Sequence, residues 1–550
     1  MSYLSGNVSG NLEEWEKEEG QYINLSLSGL THARKMTILL SVGLVTAIEI
    51  SNRLSVNVLL PDLQGNVAAD ADELSWVVIL YNLGFLCSLA LGTWMTRVIG
   101  ARRHLLYSIA LYSAGAFGCF LSARSLDLLL ISRLIMGFGG GAFLVRTIIL
   151  AGLMFPGNAR IEAVTCLYGL LFGFEITYPV CMGWITDQIH WNYAFLIDFP
   201  FLTLGAFLIW KFVPRGYLFR RTKKAQVDIR GATLLIASLA CLQVATSRGE
   251  RDLWFESFWI AAALFVAVVC FIAFLWWDSR PENSYPVFHL RVIWRQPAVR
   301  TSFGVVLIVG AILGAGLFVV PQYLRVVQDY SATQTGGFIS MYTAGLGLGL
   351  VLSLRVFIPR LGGPRTLGMG LLLLIVMCAS LTYIWTPTTP TVVLVPAIFL
   401  QGLALAPTLL GAANIATANT PLPDLNDVST TYYFVRQLGN TFGVTAATVL
   451  FDHRMTLHSS RLLDVANRVD PTTRSTLTQY AALIHRNGGA GSNPALGALQ
   501  IFQANVITQS RLLSYIDIYF GLAILAALGL FLLSITRIKN KIAQHQFHTW

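Results

Sequence analysis

Apolar stretches close to the length of a membrane-crossing helix, about 20 residues, recur along this chain from residue 36 to residue 535. Leu371 to Ser380 is typical, with ten successive residues and no charge among them. No soluble core can hide so many such runs. Hydrophobic residues make up 55% of the chain and charged residues only 12%, half the charged share of a soluble domain. Apolar surface on this scale is buried in lipid, where each backbone polar group must be satisfied within its own segment or a closed barrel. Runs of this length select helices. The expectation is an all-α polytopic membrane protein with fourteen spans, and hence both termini on one side.

The spans group into segments. Residues 1–35 read as a tail, 36–213 as a first six-helix unit, and 214–297 as a linker with two extra spans. Residues 298–535 form a second six-helix unit that includes an excursion at 452–510, and 536–550 form a closing tail. Basic residues cluster in alternate loops, among them Arg97, Arg102 and Arg103, the run Lys211 to Lys224, and Arg360 with Arg365. The loop Pro61 to Glu73 holds four acids and no basic residue. This asymmetry places both termini in the cytoplasm. The net charge of +10 is therefore an orientation signal, and nucleic acid is not an expected partner. The leader around Glu13 to Glu19 is acidic and lacks the form of a signal peptide. All seven cysteines fall in apolar stretches without C-x-x-C spacing, so they read as small core residues. No metal cluster, nucleophile triad or nucleotide loop stands out, so neither an enzyme nor a cofactor is expected.

An internal repeat gives the architecture. Arg97-Val-Ile-Gly100-Ala-Arg102 and Arg360-Leu-Gly-Gly363-Pro-Arg365 share the pattern R-x-x-G-x-R after an apolar helix. Met136-Gly137 and Gln401-Gly402 correspond at nearly the same offset. Two copies of a six-helix unit are the hallmark of secondary transporters, whose substrate site lies near the midplane between them.

Several stretches carry a closer resemblance. They are Asn57-Val-Leu-Leu-Pro61, Arg133-Leu-Ile-Met-Gly137 with Gly139 to Gly141, and Phe195-Leu-Ile-Asp198-Phe-Pro200. Further on are Val227-Asp228-Ile-Arg-Gly231, Pro321-Gln322-Tyr323-Leu324 and Arg436-Gln437-Leu438-Gly439. Together they resemble the fourteen-helix drug:proton antiporter branch of the major facilitator superfamily, over residues 36 to 535. That resemblance implies the major facilitator fold and proton-coupled efflux of small amphiphilic or drug-like molecules across a bacterial cytoplasmic membrane. Beside the resemblance, the candidate substrate contacts are Asn52, Arg146, Tyr178, Gln322 and Tyr323, and the candidate gating residues are Arg97, Gly100, Pro179 and Arg436. A periplasmic adaptor protein facing 452–510 is the implied macromolecular partner, against a plain solvated excursion. The chain departs from the family pattern in three places. In span one, Asn52 stands for the family's acid and Glu49 lies one turn closer to the cytoplasm. Thr93 and Arg97 stand where the loop motif has glycine and aspartate. Tyr178-Pro179-Val-Cys-Met182-Gly183 stands for G-P-x-x-G-G. The span-five departure favours a rival reading, a symporter or uniporter for a specific metabolite, an anionic one included. A non-transporting membrane sensor is the other rival.

Ionisable residues at membrane depth carry the chemistry. Each costs about 2.5–3.5 kcal/mol at a helix centre on insertion scales, so it faces a cavity or a partner. Glu49 and Arg53 are four residues apart in span one, on one face. Glu175 lies mid-span five, and Arg133 and Arg146 lie in span four. Burial disfavours an ionised carboxyl group and a nearby arginine favours it. A helix movement that alters that proximity would therefore load or release a proton at Glu49 or Glu175, with Arg53 and Arg133 as partners. The competing reading is a set of static ion pairs that fix helix register. Arg146 suits an acidic substrate. Arg436 reads as a snorkelling residue at the start of span thirteen, Asp517 as a structural hydrogen-bonding group, and Asp198 and Asp228 as helix caps. Pro179 is expected to kink span five, and the glycine runs to let helices approach closely.

Overall fold

The computed structural model describes residues 30–67, 71–155, 158–214, 228–249, 254–280, 297–418, 425–465, 471–486 and 493–547, with a few single residues between them. All regular structure among these residues is helical. The first half holds α1 (His32–Val67), α2 (Ala71–Ile99), α3 (Ala101–Leu121), α4 (Leu126–Gly140), α5 (Phe143–Met154), α6 (Asn158–Gln188) and α7 (Asp198–Phe212). Then come α8 (Ile229–Arg248) and α9 (Phe258–Asp278), which pack together as a hairpin. The second half holds α10 (Pro297–Gln322), α11 (Ala332–Leu352), the short α12 (Ile358–Leu361), α13 (Gly363–Ile384) and α14 (Thr391–Thr417). It continues through α15 (Leu425–Val465), α16 (Pro471–Arg486) and α17 (Pro494–Phe547). Among the described residues, 11 helices are long and apolar enough to cross a membrane. The long helices α1, α2 and α15 occupy the places of spans one, two and thirteen, with charged residues inside them.

Buried apolar side chains form two clusters. One runs from Ile38 to Val213 and takes in Phe274, Phe288 and Phe434. The other runs from Val299 to Leu533 and takes in Val58. The repeat seen in the sequence recurs in the contacts. A Cβ on Gly137 of α4 would overlap the Tyr81 carbonyl of α2, and one on Gly402 of α14 would overlap the Tyr342 carbonyl of α11. These small residues let backbones meet where a side chain would hold them apart.

The loop motif needs one correction. Gly100 has φ +91° and ψ 144°, and it is Gly362, not Gly363, that matches it with φ +76° and ψ 162°. Each is the single residue joining two consecutive helices, α2 to α3 and α12 to α13. That backbone region is almost closed to residues with a Cβ. The repeat is thus real but slipped by one residue from the alignment that the arginines suggest. The side chain of Arg97 lies outside the described residues.

Span four is interrupted at Gly141 and Ala142, so Arg133 sits on α4 and Arg146 on α5. Pro179 stays within the continuous helix α6. Here α6 meets α11 of the other half along a tight seam. Gly336 packs against the Pro179 carbonyl, and Ser340 Oγ donates to the Ile176 carbonyl at 2.5 Å. At the end of that seam the Asp187 carboxylate accepts from the amides of Ala332 (3.1 Å) and Thr333 (2.8 Å), capping α11 from outside. Beside it Arg325 reaches Asp62 at 2.5 Å from a π-helical turn, Tyr323–Val327, that closes α10. The two halves are therefore tied at the end of the bundle where α1 and α6 finish.

Beyond that end, α15 runs on for 41 residues in all, and α17, 54 residues long, begins well before its apolar stretch. Both extend into the 452–510 excursion, where α16 packs on α17. His458 and Arg454 of α15 hold Asp517 of α17 at 2.8 and 3.5 Å. Asp517 has the structural role expected for it.

Gly100→Ala should lower stability by about 1–3 kcal/mol because alanine strains that backbone region. Gly169→Ala, whose methyl group would meet open space along α6, should be neutral or slightly stabilising by helix propensity. Thermal unfolding of the purified protein in detergent checks both.

Candidate functional site

The ionisable residues of α1 lead to the site. Glu49 is completely buried and Arg53 lies one turn on. A single carboxylate oxygen, Oε1, accepts from Arg53 Nε at 2.9 Å and from the Tyr81 hydroxyl of α2 at 2.8 Å. Its other oxygen, Oε2, is buried and has no hydrogen-bond partner among the described residues. Gly140 of α4 makes this arrangement fit, since a Cβ there would press on Glu49 Cγ and the Tyr81 hydroxyl.

Arg53 reaches across to the other half. Its Nη1 donates to Gln437 Oε1 of α15 at 3.1 Å, and Gln437 Nε2 donates back to Asn82 Oδ1 of α2 at 2.9 Å. The guanidinium also lies 5.0 Å from the Phe85 ring centroid, which offers a weak cation–π attraction. Arg53 therefore bridges an acid of its own helix and an amide of the opposite bundle.

A second polar network lies deeper in the first half. Arg133, almost fully buried, donates through Nε to the Val77 carbonyl (3.2 Å) and through Nη1 to Asn52 Oδ1 (3.3 Å). It stacks over the Tyr81 ring at 4.3 Å. Asn52 Nδ2 donates onward to Asp198 Oδ2 and to the Tyr178 hydroxyl, both at 3.0 Å, and Tyr178 donates to Asp198 Oδ1 at 2.6 Å. Asp198 is fully buried. It begins α7, yet both of its oxygens are taken by side chains of α1 and α6, so the capping role expected of it is incomplete. Asp228, by contrast, does cap its helix, accepting from the Gly231 amide at 2.8 Å, and also holds Trp277 and Asn283 at 2.7 Å. Tyr81 joins the two networks, with its hydroxyl on Glu49 and its ring under Arg133.

Glu175 differs from all of these. It is only 6% exposed on α6, and no hydrogen bond or ion pair reaches it among the described residues. Arg53, Glu49 and Arg436 are the charges that act on it. Arg436 lies eleven residues inside α15, half-buried, with its guanidinium 4.9 Å from the Tyr433 ring centroid. The helix itself begins earlier, at Leu425.

Three expected site residues lie elsewhere. Arg146 does not join the set. Its guanidinium donates to the Ala142 carbonyl at 3.0 Å and to Thr96 Oγ1 at 2.9 Å, and also meets the Gly92 carbonyl, while His104 shares Thr96 at 3.0 Å. Nε and Nη2 lock α5 to α2, and Nη1 turns back to the start of its own helix. Tyr323 stacks on Trp385 at 4.2 Å and donates to the Thr386 carbonyl at 2.9 Å, which is packing at a helix end. Gln322 is half-buried on the same end of α10. Asn52 and Tyr178 do lie in the interior, but they serve Asp198 and Arg133.

Tyr81, Asn82, Asp198 and Gln437 were not anticipated as members of the site. Tyr81 read as one aromatic among many, and Asn82 beside it carries no motif. Asp198 looked like an ordinary cap and Gln437 like part of a packing motif. A polar amide more than three turns into α15 was the available signal for Gln437, since a buried polar residue needs a partner.

Two helical bundles with buried acids and arginines where they meet define a polytopic transporter-type membrane protein. The Major Facilitator Superfamily model matches residues 41–444, and the chain belongs to that family. Among curated proteins it is 26% identical over 445 residues to the multidrug export protein EmrB of Haemophilus influenzae, covering 79% of this chain and 84% of that one. It is 25% identical to EmrB of Escherichia coli K12, over 82% and 86% of the two chains. The fatty acid resistance protein FarB of Neisseria gonorrhoeae is 24% identical over 86% and 90%. Among solved structures, the POT family transporter PepTSo superposes with a TM-score of 0.61 at 12% identity, covering 92% of this chain and 98% of that one. A bacterial homologue of the lysosomal transporter Spinster gives 0.55 at 14% identity, covering 93% and 99%. These likenesses establish the fold.

Asp198→Ala should destabilise the protein by roughly 3–5 kcal/mol, because it leaves Arg133 buried without its nearby anion. Tyr178→Phe removes neutral-donor hydrogen bonds only and should cost about 1–2 kcal/mol. Denaturation midpoints of the two variants in detergent should fall in that order, and equal midpoints would deny the Asp198 network its weight.

Proposed function

We propose that this chain is a proton-coupled secondary transporter that exports small amphiphilic or drug-like molecules by alternating access between its two bundles. The names of its relatives, multidrug export proteins and a fatty acid resistance protein, support the cargo class. The asymmetry of basic residues supports cytoplasmic termini in an inner membrane. The helical extension of α15 to α17 supports contact with a partner beyond the membrane, such as a periplasmic adaptor.

One observation carries the proton coupling. Glu49 has one oxygen doubly bonded and the other without a partner in a fully buried site. A proton arriving at Oε2 breaks no hydrogen bond and removes the negative charge. Arg53 is then a buried cation without its ion-pair partner, a costly condition. Glu175, the unpaired acid that senses Arg53, is the alternative anion. Transfer of Arg53 between the two acids links proton binding to a shift between the bundles, because Arg53 is also bonded to Gln437 of the other half. Release of the proton restores the pair seen here. Arg133, tied up with Asn52 and over Tyr81, positions this machinery and stays charged throughout.

Flux measurements in inverted vesicles, with acidic, neutral and cationic amphiphiles and with or without an imposed pH gradient, test this reading. Gradient-driven flux of at least one class is expected in the parent protein. It should fall about tenfold or more, the size of effect that loss of a general acid or base produces, in Glu49→Gln and in Glu175→Gln. Both variants should remain folded in the membrane. Normal coupled flux in Glu175→Gln removes that residue from the cycle. Flux that ignores the gradient for every compound contradicts proton coupling and favours a uniporter.

A further inference from the structure

Gln437 is the polar side chain of α15 that both α1 and α2 hold. Its carbonyl oxygen accepts a hydrogen bond from Arg53 and its amide nitrogen donates one to Asn82. It is 3% exposed, so each end of the amide depends on a partner from the opposite half. A buried amide that loses one partner is destabilised by its own desolvation. Any movement of Arg53 is therefore felt at once on α15, and any movement of α15 is felt by Arg53.

We infer that Gln437 is the positioning residue through which the second bundle reads the protonation of Glu49. The inference rests on the proton-coupled reading above and names the part of it that crosses between the halves. With Glu49 ionised, Arg53 is held toward α1 in the geometry that serves the Gln437 carbonyl, and Asn82 completes the clasp from α2. With Glu49 neutral, Arg53 leaves for another anion and the amide oxygen loses its donor. The clasp then opens and α15 is free to move against α1 and α2. The neighbours of Glu49 are consistent with a signal that travels this way. From its own helix it faces Arg53, from α2 Tyr81, from α3 Tyr112, and from α6 Glu175. Arg133 of α4 lies beyond Tyr81, Asp198 of α7 beyond Asn52, and Arg436 of α15 beside Glu175. Of the groups bonded directly to the Glu49–Arg53 pair, Gln437 is the one that belongs to the second half.

The test needs no cargo, because protons alone are the probe. Spin labels on cysteines at the exposed positions Arg124 and Thr388, one on a helix turn of each half, report the separation of the bundles. The background lacks the native cysteines. Pulsed dipolar distances in lipid nanodiscs are compared at roughly pH 5.5 and pH 8.5, which straddle neutrality on the ordinary titration scale. In the parent protein the ratio of the two distance populations should change about tenfold, a modest shift for a two-state equilibrium. In Gln437→Leu the change should vanish, and Gln437→Glu, which keeps an acceptor for Arg53, should restore part of it. Asn82→Leu cuts the other side of the clasp and should weaken the response, which covers the case in which Gln437→Leu does not fold. A merely structural role would alter the distances at both pH values and leave the change between them intact.

A full pH response in Gln437→Leu or in Asn82→Leu overturns the inference. The parallel variant Glu49→Gln separates it from the reading it rests on. If Glu49→Gln still responds, the proton-coupling assignment of Glu49 is wrong. If Glu49→Gln is silent and Gln437→Leu responds, only the role of Gln437 fails. A parent protein that ignores pH contradicts both.

Discussion

A guanidinium buried in a membrane protein must be matched, and Arg53 is matched from two directions. Its own helix supplies the Glu49 carboxylate at 2.9 Å, and the opposite bundle supplies the Gln437 carbonyl at 3.1 Å. Lipid offers no replacement for either, so breaking one contact without making another is costly. The junction of the two halves therefore rests on both contacts at once. The seam between α6 and α11 and the ties from Asp187 and Asp62 hold the halves together at one end. The polar clasp of Arg53, Gln437 and Asn82 is a separate tie, made of side chains from α1, α15 and α2.

The first half is built to keep that clasp responsive. Arg133 and Asp198 satisfy one another through Asn52 and Tyr178 and form a closed network with few free valences. Glu49 is left half-satisfied, with Oε2 unpartnered, and Glu175 is left without a partner among the described residues. Glycines allow this density of polar side chains. Gly140 admits the Glu49–Tyr81 contact, and Gly137 brings α4 against the backbone of α2. A static ion-pair scaffold would spread satisfaction evenly over its acids, and this one does not.

Much of this was legible in the sequence, for a physical reason. Charge is so unfavourable at membrane depth that each of Glu49, Arg53, Arg133 and Glu175 stood out against its helix. Apolar length marked the helices, and the paired glycines marked the repeat. What local patterns could not give was the direction of a side chain. Arg146 has the same credentials as Arg133, yet it faces Gly92 and Thr96 and locks α5 to α2. Asp198 and Asp228 both open helices, but only one points back into the bundle. Tyr323 matched a motif and proved to be an aromatic stack on Trp385. The slip from Gly363 to Gly362 shows the same limit, since two adjacent glycines differ only in which one takes positive φ. The pairing of Gln437 with Asn82 and Arg53 could not be read because those residues are hundreds of positions away in sequence.

The central claim is that the Glu49 side chain alternates between a carboxylate held by Arg53 and a neutral acid. Infrared difference spectroscopy of the protein in lipid, stepped from alkaline to acidic pH, observes that change directly. The account predicts a carboxylic acid C=O band that grows as the carboxylate bands decline and is absent from Glu49→Gln. A difference spectrum that is the same with and without Glu49 would show that this residue keeps its charge, and would contradict the account.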